Sequence, residues 1–119
     1  MDYTMVDTWM DQYEKAWRGT EGTDLTTVFS DDIAYKTSPY KPAMEGLEAV
    51  EKFWKEATDD GEEFTMSHEI VAIEGDIAVV KVTVDHTKPD EEHWMDMWII
   101  QLDDDGLCFY FEEWPLKQS

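Results

Sequence analysis

The side chain with the clearest potential for chemistry is an aspartate among tryptophans in the segment HWMDMWIIQL. This segment is rich in Trp, Ile and Met and lacks Gly and Pro, which predicts a strand over Glu92–Leu102. Side chains on a strand alternate between its faces, and the more apolar face would carry Trp94, Asp96, Trp98, Ile100 and Leu102. An unpaired buried carboxylate is costly unless its pKa shifts. Asp96 is therefore a candidate general acid or base.

A second carboxyl is expected to face Asp96 across the last predicted hairpin. The turn DDDG follows the strand Glu92–Leu102, and pairing Leu102 with Leu107 sets Asp96 opposite Glu113. Like charges on facing strands destabilise the pair, so the pKa of one carboxyl should rise. This arrangement suits a general acid, or a neutral carboxyl that donates a hydrogen bond. The alternative is a strand end open to water, where both acids are solvated.

Two histidines and a tyrosine are further candidates. His68 and His86 project from the apolar face of the first predicted hairpin, whose register follows from pairing Ile73 with Ile77. In that register roughly 13 Å separates the two histidines along the sheet, so they are not expected to share a metal. Each could assist acid–base chemistry or serve as a core residue. Tyr13 lies on the apolar stripe of the first helix, where its hydroxyl could face a cavity or be satisfied within the core.

Other chemistries find no support in the sequence. The acidic segments DEEH (Asp90–His93) and DDDG (Asp103–Gly106) lack the spacing of a calcium loop and are assigned to solvated turns. No phosphate-binding glycine motif or nucleophile elbow occurs. The single cysteine, Cys108, excludes an internal disulfide and a cysteine-based zinc site, and is expected to fill the core. We expect neither a metal nor a cofactor.

The charge balance is strongly acidic, with 29 Asp and Glu against 9 Lys and Arg and a net charge of −20. Such a surface repels phosphate groups, which argues against nucleic acid and anionic membranes as partners. The sequence lacks an apolar run long enough to span a bilayer, and its N-terminus, MDYTMVDTWM, does not resemble a secretion signal. We expect a cytoplasmic protein, and the acidic surface suggests a halophilic source in which salt screens the self-repulsion.

Hydrophobic periodicity predicts the elements that must position these residues. It is helical early in the chain and changes to the alternation of strands after residue 62. We predict helices over Thr4–Arg18, from Thr23 through Phe29, and over Leu47–Thr58, and strands over Ile33–Thr37, Phe64–Ile73, Ile77–Thr87, Glu92–Leu102 and Leu107–Trp114. This order predicts one α+β domain over residues 1–119. Its cone-like curved antiparallel sheet would carry three N-terminal helices on its concave face, a cystatin-like roll.

The chain resembles the SnoaL-like, or polyketide-cyclase-like, branch of the nuclear-transport-factor-2-like superfamily. The resemblance covers nearly the whole chain and is carried by WMDQYEKAW, TDLTTVFSDDIAYKTSPY, GLEAVEKFWKEA and WIIQLDDDGLCFYFEEW. It implies a cone-shaped cavity and a homodimer joined through the open face of the sheet. It does not imply one function, because this fold serves enzymes and non-enzymes alike.

Relatives that isomerise ketosteroids imply a possible set of site residues. They use a Tyr in the first helix and a late-strand Asp as an oxyanion hole, and an Asp at the end of the first strand as the base. Tyr13 matches the tyrosine, and Asp96 matches the late acid, although counting back from Gly106 places Trp98 there instead. The base position is occupied by Ser38, which cannot abstract a proton from carbon unaided. Ketosteroid-type isomerisation is therefore not expected.

The sequence thus predicts an aromatic pocket for a compact apolar molecule with a carbonyl or hydroxyl group. An enzyme of this kind would isomerise, cyclise or hydrate its substrate, with Asp96 as acid or base, Tyr13 as donor, and His68 or His86 as auxiliary. The remaining predicted lining residues are Trp17, Tyr35, Trp54, Met66, Val82, Trp94 and Trp98. The alternative is a non-catalytic ligand-binding or dimerisation module whose pocket is degenerate or filled.

Overall fold

The described residues form two α-helices, one short 3-10 turn and six strands. The computed structural model describes residues 1–19, 24–57, 63–88 and 90–118. The elements, in chain order, are α1 (Tyr3–Trp17), the 3-10 turn (Leu25–Thr27), β1 (Phe29–Lys36), β2 (Met44–Glu45), α2 (Leu47–Ala57), β3 (Glu63–Glu74), β4 (Ile77–Lys88), β5 (Glu92–Leu102) and β6 (Cys108–Lys117).

The six strands form one curved sheet in the order β2-β1-β6-β5-β4-β3. The four long strands β3 to β6 pair antiparallel with their chain neighbours, while β1 joins the last strand in parallel. The buried residues of both helices belong to the same core as the inward-facing side chains of the sheet. The predicted α+β class is confirmed.

The prediction of three helices is wrong, because the segment expected to be the second helix is mostly a turn and a strand. Asp24 caps a single turn, Leu25–Thr27, by accepting a hydrogen bond from the backbone N–H of Thr26 at 2.9 Å. The chain then enters β1 at Phe29. Adjacent threonines and a valine favour extended backbone over a continuing helix. The predicted start of this helix at Thr23 lies outside the described residues.

The other two helices form where they were predicted. Asp2 caps α1 by accepting a hydrogen bond from the Met5 N–H at 2.9 Å, and the helix buries Val6, Trp9, Met10 and Tyr13 against the sheet. The second helix, α2, buries Val50 and Trp54. These apolar stripes recur at helical spacing, so each helix has one face that can be covered only by the sheet. The predicted end of α2 at Thr58 lies outside the described residues.

The first hairpin keeps the predicted register along most of its length. His68 pairs with Val82 and Glu69 with Lys81, as predicted. An irregularity between Ile70 and Ala72 shifts the pairing by one residue near the turn. The prediction that Ile73 pairs with Ile77 is therefore wrong, since Ile73 pairs with Ala78. The shift lets the side chain of Ile73 pack against the core while Ala72 is exposed.

The second hairpin departs from its predicted register. Leu102 pairs with Cys108 rather than Leu107, because the Asp103 carboxylate accepts hydrogen bonds from the backbone N–H groups of Asp105 and Leu107 and holds a longer turn. A further irregularity follows at Gln101. The total displacement is two residues. Side chains on both strands consequently keep the faces that were predicted for them.

Trp9 joins α1 to the sheet. Its indole N–H donates a 2.8 Å hydrogen bond to the buried carbonyl of Val28. Its ring lies 6.2 Å from Phe29, 6.3 Å from Trp98 and 6.4 Å from Phe111, measured between centroids. One side chain thus combines a buried hydrogen bond with edge-on and tilted aromatic contacts.

Among the described residues, none of the helices combines the length and the apolar character needed to cross a bilayer.

Replacing Trp9 with Phe should lower the free energy of unfolding by about 1–3 kcal/mol, because the hydrogen bond is lost and the smaller ring leaves space. Urea unfolding monitored by circular dichroism measures this value. Trp94→Phe serves as a control, since Trp94 is only half-buried and its N–H bonds a side chain near the surface. An equal decrease in the free energy of unfolding in the two variants would contradict the role assigned to Trp9.

Candidate functional site

A cavity of about 490 Å³ lies between the helices and the sheet. Aromatic side chains dominate its wall, and four carboxyl groups also face it. Its described lining residues are Tyr13, Trp17, Tyr35, Thr37, Phe53, Ala57, Phe64, Met66, Val84, His86, Asp90, Glu92, Trp94, Asp96, Trp98, Glu113 and Pro115. A largely apolar cavity with a few convergent polar groups is the usual form of a small-molecule site.

Two of the acids, Asp96 and Glu113, come together inside this cavity from neighbouring strands. Trp98 is the residue directly opposite Glu113, while Asp96 lies opposite Pro115. The prediction that Asp96 and Glu113 pair directly is therefore wrong, and the two residues are diagonal neighbours. The two-residue displacement preserves the face, so both carboxyls still enter the same space.

The Asp96 carboxyl is one of the most buried polar groups among the described residues, with only 5% of the residue exposed. Its Oδ2 accepts a hydrogen bond from the indole N–H of Trp98 at 3.3 Å. Its Oδ1 is buried and lacks a donor among the described groups when both acids are ionised. A proton on Glu113 would supply that donor, because two carboxylates cannot hydrogen-bond to each other.

Glu113 is the carboxyl that holds its proton most firmly. Burial raises the pKa of Glu113 well above its ordinary value, and the hydrogen bond to Asp96 and the charge of Asp96 raise it further. The pair therefore favours a state in which one proton is shared between two carboxyls. Such a pair holds an acid and a base within one cavity.

Two tyrosine hydroxyls extend this polar network. The indole N–H of Trp54 donates to the hydroxyl of Tyr35 at 3.3 Å, and the Tyr13 hydroxyl is also hydrogen-bonded to Tyr35. Burial raises the pKa of Tyr13, and the nearby Tyr35 and Glu113 raise it further. Burial also raises the pKa of Tyr35, with the charge of Glu113 as the next cause. Both hydroxyls are therefore protonated donors at neutral pH.

The structure brings most of the sequence-predicted residues to the cavity. Those that line it are Tyr13, Trp17, Tyr35, Met66, His86, Trp94, Asp96 and Trp98. Trp54 and Val82 are buried behind the wall, and Trp54 acts there through its bond to Tyr35. Ser38 does not line the cavity, and its hydroxyl accepts a hydrogen bond from the backbone N–H of Tyr40 at 3.2 Å.

His68 does not belong to this site. It lies on the edge strand β3, outside the cavity lining, and its ring Nε2 is 2.7 Å from Oδ1 of Asp7 on α1. The alternating pattern predicted the correct face for His68. It gave no information on how far α1 extends over that face, so the histidine meets the helix surface rather than the cavity.

Sequence reasoning left several lining residues out of the predicted site. Glu113 was expected to face Asp96 but was not assigned a role, and Glu92 and Asp90 were assigned to a strand end and a turn. A signal for two of the acids exists, since Glu92 and Asp96 each precede a tryptophan by two residues on the same strand face. Each of those indoles donates to its acid at 3.3 Å.

Two other sequence expectations concern metal and cysteine chemistry. Within the described parts of the chain, no group of three or more His, Cys, Asp or Glu side chains is arranged to hold a metal ion. Cys108 is buried, and its thiol donates to the carbonyl of Tyr110 at 2.9 Å.

Replacing Glu113 with Gln should stabilise the protein increasingly as pH rises above about 4.5. Because the pKa of Glu113 is higher in the folded than in the unfolded protein, the wild type takes up a proton when it folds at intermediate pH. The stability that this proton provides is fully present below the unfolded-state pKa of Glu113, and it is lost as pH rises through the folded-state pKa. Glutamine does not titrate. Thermal melts between pH 4.5 and 8 should show a growing advantage of about 1 kcal/mol or more, since one pKa unit is about 1.4 kcal/mol.

Glu112→Gln is the matched control, because its side chain points to the other face of β6. Hydrogen bonds from Tyr110 and Trp114 lower the pKa of Glu112. The ionised Glu112 carboxylate therefore stabilises the folded protein above its unfolded-state pKa, and this stabilisation is lost as pH falls through the folded-state pKa. This variant should be less stable than wild type at pH 7, and the deficit should shrink in acid. The same pH trend in both variants would contradict the assignment.

Comparison with known proteins places this fold and cavity in a family. A family model described as the SnoaL-like domain matches residues 10–110. No curated protein sequence matches the chain. Solved structures do match, and at identities below 20% their likeness concerns the fold.

Three of these structures illustrate the range of proteins that have a similar fold. A putative SnoaL-like polyketide cyclase from Jannaschia sp. CCS1 has a TM-score of 0.71 and 16% identity, covering 93% of this chain and 84% of that chain. The epoxide hydrolase/cyclase-like enzyme SalBIII, described in pyran ring formation in the polyether salinomycin, has a TM-score of 0.71 and 13% identity, covering 95% and 91%. The CaMKII hub of S. rosetta has a TM-score of 0.67 and 16% identity, covering 95% of both chains. The chain belongs to the SnoaL-like domain family, as its resemblance predicted.

Proposed function

We propose that residues 1–119 act as a single SnoaL-like domain that performs acid–base catalysis on a compact, largely apolar molecule bearing an oxygen function. The observation that carries this proposal is a pair of neighbouring carboxyls in an aromatic cavity. Asp96 is buried, Glu113 is half-buried, and the pKa of Glu113 is raised well above its ordinary value. Groups with strongly perturbed protonation inside a cavity are frequent at catalytic sites. A purely structural role would be served better by apolar residues of similar size.

In the proposed mechanism each polar group has a role. Glu113 donates a proton to the substrate oxygen, and Asp96 is the carboxylate that accepts a proton from the substrate or from an attacking nucleophile. Tyr13 donates a hydrogen bond to the Tyr35 hydroxyl, and Tyr35 in turn donates its own O–H to the substrate oxygen as negative charge develops on it. His86 lines the cavity and is an auxiliary proton acceptor. His68 has no part in this mechanism.

The comparisons support this class of chemistry without identifying a substrate. The similar structures include proteins described as a polyketide cyclase and an epoxide hydrolase/cyclase-like enzyme. Ring opening and ring closure at oxygen both need an acid for the oxygen and a base for the attacking group. The acid pair and the tyrosines provide these two functions. Isomerisation through an enol needs the same two groups, so it remains in the proposed class.

A non-catalytic binding or dimerisation module is the alternative. Ser38 occupies the position where ketosteroid-isomerising relatives have their base, and its hydroxyl is engaged in a turn outside the cavity lining. The CaMKII hub has a similar fold. The alternative accepts the same cavity but requires no proton transfer, so turnover separates the two proposals.

Glu113→Gln should reduce turnover by about 100-fold or more, because a general acid typically contributes a factor of this size. The wild-type protein is incubated in D2O with styrene oxide and with 2-cyclohexenone, and NMR follows diol formation and deuterium incorporation. We expect turnover of at least one probe by the wild type. Glu112→Gln, a change on the adjacent residue facing away from the cavity, should retain the wild-type rate. Equal loss in both variants would contradict the role of Glu113, and turnover of neither probe by the wild type would favour the non-catalytic alternative.

We also propose a homodimer joined through the open face of the sheet. On that face the cross-strand pairs Met95 with Leu116 and Met97 with Trp114 form an apolar patch. Met95 is 46% exposed, Trp114 45% and Leu116 66%. Large apolar side chains that cluster on one exposed face often mark a contact with another chain. The strongly acidic remainder of the surface suits a salt-rich cytoplasm, where like-charged subunits can approach each other.

Leu116→Lys should shift the protein toward a monomer, because it places a charge in the centre of the proposed contact. Light scattering coupled to size-exclusion chromatography measures the mass at several concentrations. Tyr40→Lys is the control, since Tyr40 is 95% exposed in the loop between β1 and β2. A wild-type monomer at 100 µM, a concentration chosen to be well above those of typical assays, would rule out this interface.

A further inference from the structure

The inner face of β5 carries the same local arrangement twice. In each copy, an acid is followed two residues later by a tryptophan whose indole N–H donates to that acid at 3.3 Å. The outer copy is Glu92 with Trp94, and the inner copy is Asp96 with Trp98. All four residues line the cavity. The indole bond fixes one carboxylate oxygen and leaves the other oxygen available to a second donor.

The outer copy binds an ammonium group that belongs to the protein. The Lys117 Nζ donates to Oε1 of Glu92 at 3.0 Å and lies 5.8 Å from the centroid of the Trp94 ring. The acid contributes a charge-assisted hydrogen bond, and the indole contributes a cation–π contact. The outer copy thus shows which chemical group this arrangement holds.

The inner copy has the same acid–indole hydrogen bond, and both of its residues are among those that line the cavity. Only 5% of Asp96 is exposed, and its Oδ1 has no hydrogen-bond donor among the described residues apart from the proton held by Glu113. The ring of Trp98 lies beside it, and the Tyr13 ring is 4.6 Å from the Trp98 ring. A desolvated ammonium gains more from an aromatic face and a carboxylate than a solvated one does.

The charges around the cavity favour the same kind of ligand. Its described lining contains four acids and no Lys or Arg. Glu92 is paired with Lys117 and Glu113 holds a proton, so Asp90 and Asp96 carry the unpaired negative charge. An anionic ligand would be repelled by these groups, and a neutral ligand would leave the Asp96 oxygen without a charged partner. A cationic ligand is attracted by the acids and also gives the Asp96 oxygen a charged partner.

We propose that the ligand of this cavity carries an ammonium group on a compact apolar body, and that Asp96 and Trp98 hold this group as Glu92 and Trp94 hold Lys117. The inference deepens the proposed function by naming the charge of its substrate, and it rests on that function only in taking Asp96 as ionised. A carboxylate oxygen accepts two hydrogen bonds, so an ammonium on Oδ1 leaves Asp96 able to hold the Glu113 proton. Glu113 remains the proton donor, and with Asp96 engaged by the ammonium the auxiliary acceptor His86 takes the role of the base.

Calorimetric titration with three probes of similar size tests the proposal on the wild-type protein. The probes are 2-phenylethylammonium, 2-phenylethanol and phenylacetate. The buffer contains 1 M NaCl, where the Debye length is about 3 Å, so the net charge of −20 does not attract cations at a distance. We expect the ammonium to bind at least about tenfold more tightly than the alcohol, and phenylacetate to bind most weakly. Equal binding of the ammonium and the alcohol, or preference for phenylacetate, overturns the proposal.

Two matched variants locate the effect. Asp96→Asn should reduce the preference for the ammonium to about one while leaving the alcohol bound. Asp104→Asn removes an acid from the exposed β5–β6 turn and should leave the preference unchanged. A preference that survives in folded Asp96→Asn overturns the assignment to this residue. If Asp96→Asn does not fold, the three wild-type affinities still decide the outcome.

The test also separates this inference from the proposed function. If the neutral probes are turned over and the ammonium probe is not bound preferentially, the catalytic proposal stands and the proposed ammonium group of the ligand is rejected. If the ammonium probe binds tightly and selectively but no probe is turned over, the proposed ammonium ligand stands and the protein is a binding module.

Discussion

The burial of the Asp96 carboxyl is the constraint on which the rest of the site depends. A carboxylate in an apolar interior needs donors or a shared proton. The structure supplies the Trp98 indole on one oxygen and places Glu113 beside the group. The tyrosine hydroxyls and the aromatic wall then close the space around the pair. These groups come from four elements, with Asp96 and Trp98 both on β5, so α1, β1, β5 and β6 must all hold their positions for the site to exist.

Much of this architecture was predictable, because it depends on simple periodicity. The alternation on β5 placed Asp96 between Trp94 and Trp98 on the core face, and the helical stripe on α1 placed Tyr13 inward. The face of Glu113 was also predicted correctly, even though its pairing was not. A displacement of two residues preserves the face of every side chain, so errors of this size do not affect which residues meet in the core.

The features that could not be predicted depend on tertiary contacts, which hydrophobic periodicity does not encode. The irregularities near Ile70 and Gln101 arise from turn hydrogen bonds and core packing. The turn after Asp24 looked helical because Leu25, Val28 and Phe29 share helical spacing, yet β-branched residues and pairing with β6 favoured a strand. His68 lies on the predicted face but meets Asp7 of α1, since the reach of a helix across a sheet is set by tertiary packing.

Carboxyl titration by NMR tests the central claim most directly. Protein labelled with 13C at the glutamate carboxyl carbons is titrated between pH 3 and 9, and Glu113 is assigned from the signal lost in Glu113→Gln. The account predicts that this signal titrates well above the ordinary glutamate value of about 4.3. A Glu113 signal that titrates at the ordinary value would show that the two carboxyls do not share a proton, and would contradict the account.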